Sequence, residues 1–158
     1  RLSLVGSEMC IRDRYVNGGQ CKNITFENCT FTNSEWDAIQ LTDKDISSVT
    51  IKNCTFKNTV PGYRYIHLEL RDKSAYTVNE NARVEITGCT FENISKDYCK
   101  DSAITILGFK FKNMPIQNNI VKGAGADKLT TDIIWICDGI EFGTLMPEEE
   151  LNKAFIYK

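Results

Sequence analysis

Three near-copies of one pentapeptide, "ENCTF" (27–31), "KNCTF" (52–56) and "TGCTF" (87–91), constrain this chain more than any other feature. With their neighbours they read "NITFENCTFTN" (23–33), "SVTIKNCTFKN" (48–58) and "RVEITGCTFEN" (83–93), and a degenerate fourth copy, "NMPIQNNIVKG", spans 113–123. Apolar residues alternate with polar ones in each, the period-2 signature of a strand with one buried face. Ile24, Phe26, Cys29 and Phe31 fall on one side in the first copy. Val49, Ile51, Cys54 and Phe56 do so in the second, and Val84, Ile86, Cys89 and Phe91 in the third. In the fourth the same slots hold Met114, Ile116, Asn119 and Val121. The alternation skips one residue in the middle of every copy: Asn28, Asn53, Gly88 and Asn118. Asparagine and glycine tolerate a left-handed backbone most readily. One such residue between two short strands makes a sharp bend that leaves both apolar faces pointing inward.

Successive bend residues are 25, 35 and 30 positions apart (53 − 28, 88 − 53, 118 − 88). A solenoid of strict period is excluded, but each interval suits one coil plus a loop of variable length. The intervening segments supply a third strand per coil: "DAIQL" (37–41), "YIHLEL" (65–70), "SAITIL" (102–107) and "DIIWIC" (132–137). A sandwich of antiparallel hairpins would call for Asn-Gly or Asp-Gly turns between strand pairs, and the repeats hold none. The "N-C-T-F" copies and the "DAIQL"-type strands together resemble the right-handed parallel β-helix of the pectate-lyase-like superfamily, over residues 16 to 143. The fold class expected is therefore all-β, a single-stranded right-handed parallel β-helix of about four coils. Parallel strands stacked about 4.8 Å apart would place like residues in ladders. Cys29, Cys54 and Cys89 would form one inner row closed by Asn119, and Phe31, Phe56 and Phe91 another continued by Val121. The bend asparagines would bond along a ladder of their own.

Other boundaries are compositional. "SEMCIRDR" (7–14) resembles the translation of a sequencing-library adapter, so residues 1–14 are expected to be non-native, with coils over 15–145. On that reading the chain is a C-terminal fragment. In the tail (146–158), Pro147 followed by Glu148, Glu149 and Glu150 marks a helix start that would cap the core. The chain has 158 residues with 19 basic and 21 acidic side chains, and a nucleic-acid partner is disfavoured because a phosphate-backbone binder carries a basic excess. No apolar run approaches the roughly 20 residues of a membrane span. Seven cysteines occur without a CxxC pair, which argues against a zinc site and for small buried hydrophobes. "TDKD" (42–45) offers oxygen donors for Ca2+ but reads better as an acidic turn. No cofactor is expected. The sequons at Asn23, Asn28, Asn53 and Asn93 read as coincidental with the repeat.

In proteins resembling this one, polysaccharide lies along the outer face of the "DAIQL"-type strands. With the aliphatic residues inward, the outward row is Gln40, His67, Thr105 and Trp135. "RYIHLELRD" (64–72) sets Tyr65, His67 and Glu69 on one face, with Arg71 and Asp72 at its end and Arg64 at its start. His67 is the one histidine in the chain, and beside a carboxylate it suits general acid–base work on a sugar. The candidate catalytic set is His67, Glu69 and Arg71. Gln40, Tyr65, Thr105, Trp135 and Trp36 are the candidate sugar contacts, since indole suits the apolar face of a pyranose. A glycosidase needs two carboxylates roughly 5 to 10 Å apart, and here Asp37 or Asp72 joins Glu69 only through loop geometry. The resemblance implies an extracellular protein that engages polysaccharide, by lyase or hydrolase chemistry where it is an enzyme. The rivals are a non-catalytic adhesin or stalk and a trimeric phage tail-spike segment.

Overall fold

The computed structural model describes residues 2–5, 8–10, 14–17, 22–34, 36–58, 63–72, 75–94, 103–123, 134–137, 144–145 and 147–158, with the backbone alone for the segments before 22 and for 134–137 and 144–145. Among the described residues the strands form five successive coils. The first comprises β1 (Leu2–Val5), β2 (Glu8–Cys10) and β3 (Arg14–Asn17), the second β4 (Asn23–Glu27), β5 (Thr30–Thr32) and β6 (Ile39–Thr42). β7 (Ser48–Lys52), β8 (Thr55–Lys57) and β9 (Ile66–Glu69) make the third. A short hairpin, β10 (Arg71–Asp72) and β11 (Ala75–Tyr76), precedes the fourth, which is β12 (Arg83–Thr87), β13 (Thr90–Glu92) and β14 (Ile104–Leu107). The fifth is β15 (Ile116–Gln117), β16 (Asn119–Lys122) and β17 (Ile134–Cys137), with β18 (Thr144–Leu145) antiparallel to β17.

First, second and third strands of successive coils pair in parallel, and with a C-terminal strand, β19 (Phe155–Tyr157), they give three sheets ordered β1-β4-β7-β12-β15, β2-β5-β8-β13-β16-β19 and β3-β6-β9-β14-β17-β18. There is one coil more than the four expected. The first two strands of that extra coil come from the segment set aside as non-native: Leu2–Val5 pairs with Ile24–Glu27, and Glu8–Cys10 with Thr30–Thr32. An open parallel edge offers its backbone groups to any extended segment of the right length, whatever its side chains.

All four predicted bend residues have left-handed backbones: Asn28 (φ 56°), Asn53 (φ 52°), Gly88 (φ 66°) and Asn118 (φ 57°). Glycine at 88 answers a close approach as well, since a Cβ there would lie 2.5 Å from Asn53 Oδ1. A second corner, five residues on, was not foreseen. Asn33, Asn58, Asn93 and Gly123 also have positive φ, and it is here that the side-chain ladder runs. Asn58 Nδ2 donates to Asn33 Oδ1 (2.9 Å) and Asn93 Nδ2 to Asn58 Oδ1 (2.8 Å).

The inner rows stack as the ladder argument requires. The rings of Phe31, Phe56 and Phe91 stack nearly parallel, with centroids 4.9 and 5.0 Å apart, and Val121 follows Phe91 in register. Cys29, Cys54 and Cys89 are buried thiols outside any disulfide. The thiol of Cys54 is pushed above its ordinary range by its hydrogen bond with Cys89 and by burial. Asn119 closes the row: its Oδ1 accepts from the Cys89 N–H (2.9 Å), while its Nδ2 donates to the carbonyls of Ile86 (3.0 Å) and Ala154 (3.3 Å). The last bond reaches the tail, where α1 (Glu148–Ala154) follows Pro147 as expected. Leu151 and Ala154 are fully buried, and the chain then adds β19 (Phe155–Tyr157) in parallel to β16. Among the described residues no helix is long and apolar enough to cross a membrane.

Candidate functional site

The third sheet carries the candidate residues. Gln40, His67, Thr105 and Trp135 are aligned in register across β6, β9, β14 and β17, as the outward row requires; the side chain of Trp135 lies outside the described residues. The row is not the solvated face expected. His67 is 8 % exposed, Glu69 6 % and Thr105 1 %, and only Gln40 among them is half-buried. For His67 and Glu69 the cause is mutual: the charged side chains around them fold onto one another.

His67 is the centre of that cluster. Its Nδ1 lies 2.8 Å from Asp37 Oδ2 and its Nε2 2.7 Å from Glu69 Oε1. Ionised carboxylates only accept hydrogen bonds, so both ring nitrogens must donate and the ring is an imidazolium. Burial alone would lower the His67 pKa. The hydrogen bonds to Asp37 and Glu69 outweigh it and the repulsion of Arg64, and the group is held above its usual value. Asp37 is pushed up by burial, but more strongly down by the His67 hydrogen bond, the Arg64 N–H and the two neighbouring positive charges. Glu69 is likewise lowered, burial being outweighed by the His67 bond and by the charges of His67, Arg71 and Arg64.

Two arginines complete the cluster. Arg64 donates to Asp37 twice, from its backbone N–H to Oδ1 (2.7 Å) and from Nη1 to Oδ2 (3.2 Å). Arg64 Nη1 is also 3.2 Å from His67 Nδ1, so two donors converge on the same Asp37 oxygen. Arg71 Nη1 is 3.6 Å from Glu69 Oε2. Asp72, the other carboxylate considered, is exposed and pairs with Lys44 at 3.4 Å, away from the cluster.

A family comparison fits this architecture. The description "Right handed beta helix region" matches residues 11–137. The chain belongs to this family. Neither the comparison with curated proteins nor that with solved structures gave a match.

Within this β-helix, two sugar-contact expectations fail: Thr105 is buried where it stands in the outward row, and Tyr65 turns inward. Tyr65 is 2 % exposed and lies inside the coil, its ring tilted against Phe56 and Phe91 at 5.7 and 5.8 Å. Its hydroxyl donates to the carbonyls of Glu92 (2.6 Å) and Asn93 (3.4 Å). Period-2 alternation places Tyr65 outward only if the strand extends that far. β9 begins at Ile66, and the bend just before it turns the phenol inward.

Trp36 is the opposite case, exposed at 56 %, with its ring tilted on Tyr63 at 5.2 Å. Trp36 directly precedes Asp37, and the half-buried Tyr63 directly precedes Arg64, so the aromatic pair is joined by chain to the two residues that flank His67. Asp37 was considered only as a loop option, and Tyr63 was missed. The alignment of Gln40 with His67 holds the signal for both: three residues back it sets Asp37 against Arg64, and four back Trp36 against Tyr63.

Around "TDKD", Asp43 Oδ1 accepts from the Asp45 N–H (2.9 Å), which is the local bonding of a turn. Among the described residues no group of three or more His, Cys, Asp or Glu is placed to hold a metal ion.

Proposed function

We propose that this β-helix protein works outside the cell and binds polysaccharide on the outer side of its third sheet. The observation that carries the reading is the Trp36–Tyr63 pair, an aromatic platform with Trp36 exposed, beside a cluster of five charged side chains of which Asp37, His67 and Glu69 are buried. Leaving an indole half in water costs free energy that a stacked pyranose would offset, and aromatic rings next to directional polar groups suit sugar recognition. The cluster is hard to explain by stability alone, since buried ion networks rarely outperform apolar packing.

Binding is better supported than bond cleavage. Hydrolysis by a carboxyl pair needs one member protonated, with a raised pKa. Here both carboxylates are lowered and the imidazole between them has no free nitrogen to act as a base. His67, Glu69 and Arg71 then act by orienting the platform and its surroundings.

The test is tryptophan emission in a Trp135→Phe background, titrated with neutral and acidic polysaccharides such as dextran, xylan and pectate. At least one should shift or quench the signal, and Trp36→Ala in the otherwise unchanged chain, which removes a mostly exposed side chain, should retain the fold and bind that polymer at least tenfold more weakly by isothermal titration calorimetry. If Trp36→Ala binds as tightly as its parent, the platform is not the site. Release of shorter sugars from any of the three polymers would restore a catalytic reading.

A further inference from the structure

We infer that the Asp37–His67–Glu69 cluster is a proton-operated latch on the Trp36–Tyr63 platform, which is fixed while His67 carries two protons and loosened when it loses one. The inference rests on the sugar-binding reading for its purpose, but the latch itself is geometric. Each platform ring is attached through one peptide bond to a residue that His67 touches: Trp36 to Asp37, and Tyr63 to Arg64.

The groups facing His67 among the described residues are Asp37 from the segment ahead of β6, Arg64 from the segment ahead of β9, and Glu69 from β9. Arg71 of β10 stands behind Glu69, and the uncharged Gln40 and Thr105 flank the ring on the neighbouring strands. A neutral imidazole has one N–H and can serve only one of its two carboxylates. Arg64 Nη1, 3.2 Å from Nδ1, decides which one is lost. With the remaining proton on Nε2, the Glu69 bond survives and the Nδ1 lone pair accepts from the guanidinium. Asp37 Oδ2 then faces a lone pair at hydrogen-bond distance, so the two acceptors repel and Asp37 is held by Arg64 alone. Loss of the proton therefore acts on the Asp37 side, where Trp36 is attached. The carboxylate bonds that raise the affinity of His67 for its proton place the change above the ordinary histidine value.

Because the chain has a single histidine, its titration can be followed directly in the intact protein by ring 15N or 13C NMR shifts. In parallel, acrylamide quenching of Trp36 is measured in a Trp135→Phe background across the same pH range, with no sugar present. The expected result is one midpoint, above about 6.5, in both readouts, with the quenching constant rising at least 1.5-fold on the alkaline side. Asp37→Asn should lower the histidine midpoint and flatten the Trp36 response, and far-UV circular dichroism checks that it folds. His67→Gln, which cannot change charge, should give quenching independent of pH. A histidine that titrates while Trp36 does not respond overturns the latch and leaves sugar binding untouched. A shared midpoint in a protein that binds none of the test polysaccharides keeps the latch and sinks the binding reading.

Discussion

The imidazole of His67 must hold both protons to satisfy Asp37 and Glu69, and this fixes how the stability of the fold depends on pH. Its folded pKa is raised, so its contribution is complete below the unfolded value of about 6.5 and is lost as pH rises through the folded value. Asp37 and Glu69 have lowered pKa values, so their contribution is present above about 4 and is lost as pH falls through their folded values. The cluster therefore stabilises most between these limits. His67→Gln, which leaves two buried carboxylates short of a cationic partner, should cost about 3 kcal/mol at pH 6 and clearly less at pH 9, read from urea unfolding at each pH. Equal losses at both would mean that the ring keeps one charge state between them. The sequence exposed His67 and Glu69 as a pair because both lie in one alternating strand. It misplaced Tyr65, since alternation cannot show where a strand begins. Asp37 required the register between coils, which a chain with loops of unequal length discloses only after its strands are aligned.

The corners of the coil show a similar division. The first was legible because Asn and Gly interrupt a clean alternation at 28, 53, 88 and 118. The second, at 33, 58, 93 and 123, ends a strand instead of interrupting one, so no break in periodicity marked it, although Asn recurs five residues after each first-corner residue in three of the copies. Its asparagines do two jobs: they adopt positive φ, and they bond from coil to coil. Asn58 tests both, since it donates to Asn33 and accepts from Asn93. Asn58→Gly keeps the backbone geometry and removes two side-chain bonds, so it should cost about 1–2 kcal/mol. Asn58→Ala adds the left-handed penalty of about 1–2 kcal/mol and should be correspondingly worse. The difference between the two variants, measured by thermal or denaturant unfolding, separates the corner from the ladder; equal losses would show that the bonds alone matter.

A stack of coils touches itself only between neighbours, so disturbance at one end should fade along the axis. The C-terminal end offers a clean place to see this. Pro147 and the three glutamates announced a helix, but the return of the chain as β19 was hidden, because Phe155–Tyr157 is too short a segment to declare its partner. The helix and that strand cover the last coil together: Leu151 is fully buried, Phe155 meets the Phe91 ring edge-on at 6.0 Å, and Ala154 takes a bond from Asn119 at the end of the cysteine row. Leu151→Ala should cost about 2–5 kcal/mol for the lost contacts and the cavity left behind. The loss should also be local. In native-state hydrogen exchange, amides of β15, β16 and β19 should lose protection most, β12 and β13 less, and β4 and β5 least, because each intervening interface must open separately for the effect to travel. Uniform loss from the second coil to the fifth would instead mean that the coils unfold as one cooperative body. Coupling through the Phe31–Phe56–Phe91 stack, which joins the second coil to the fourth and meets Phe155 edge-on, would then be the physical route.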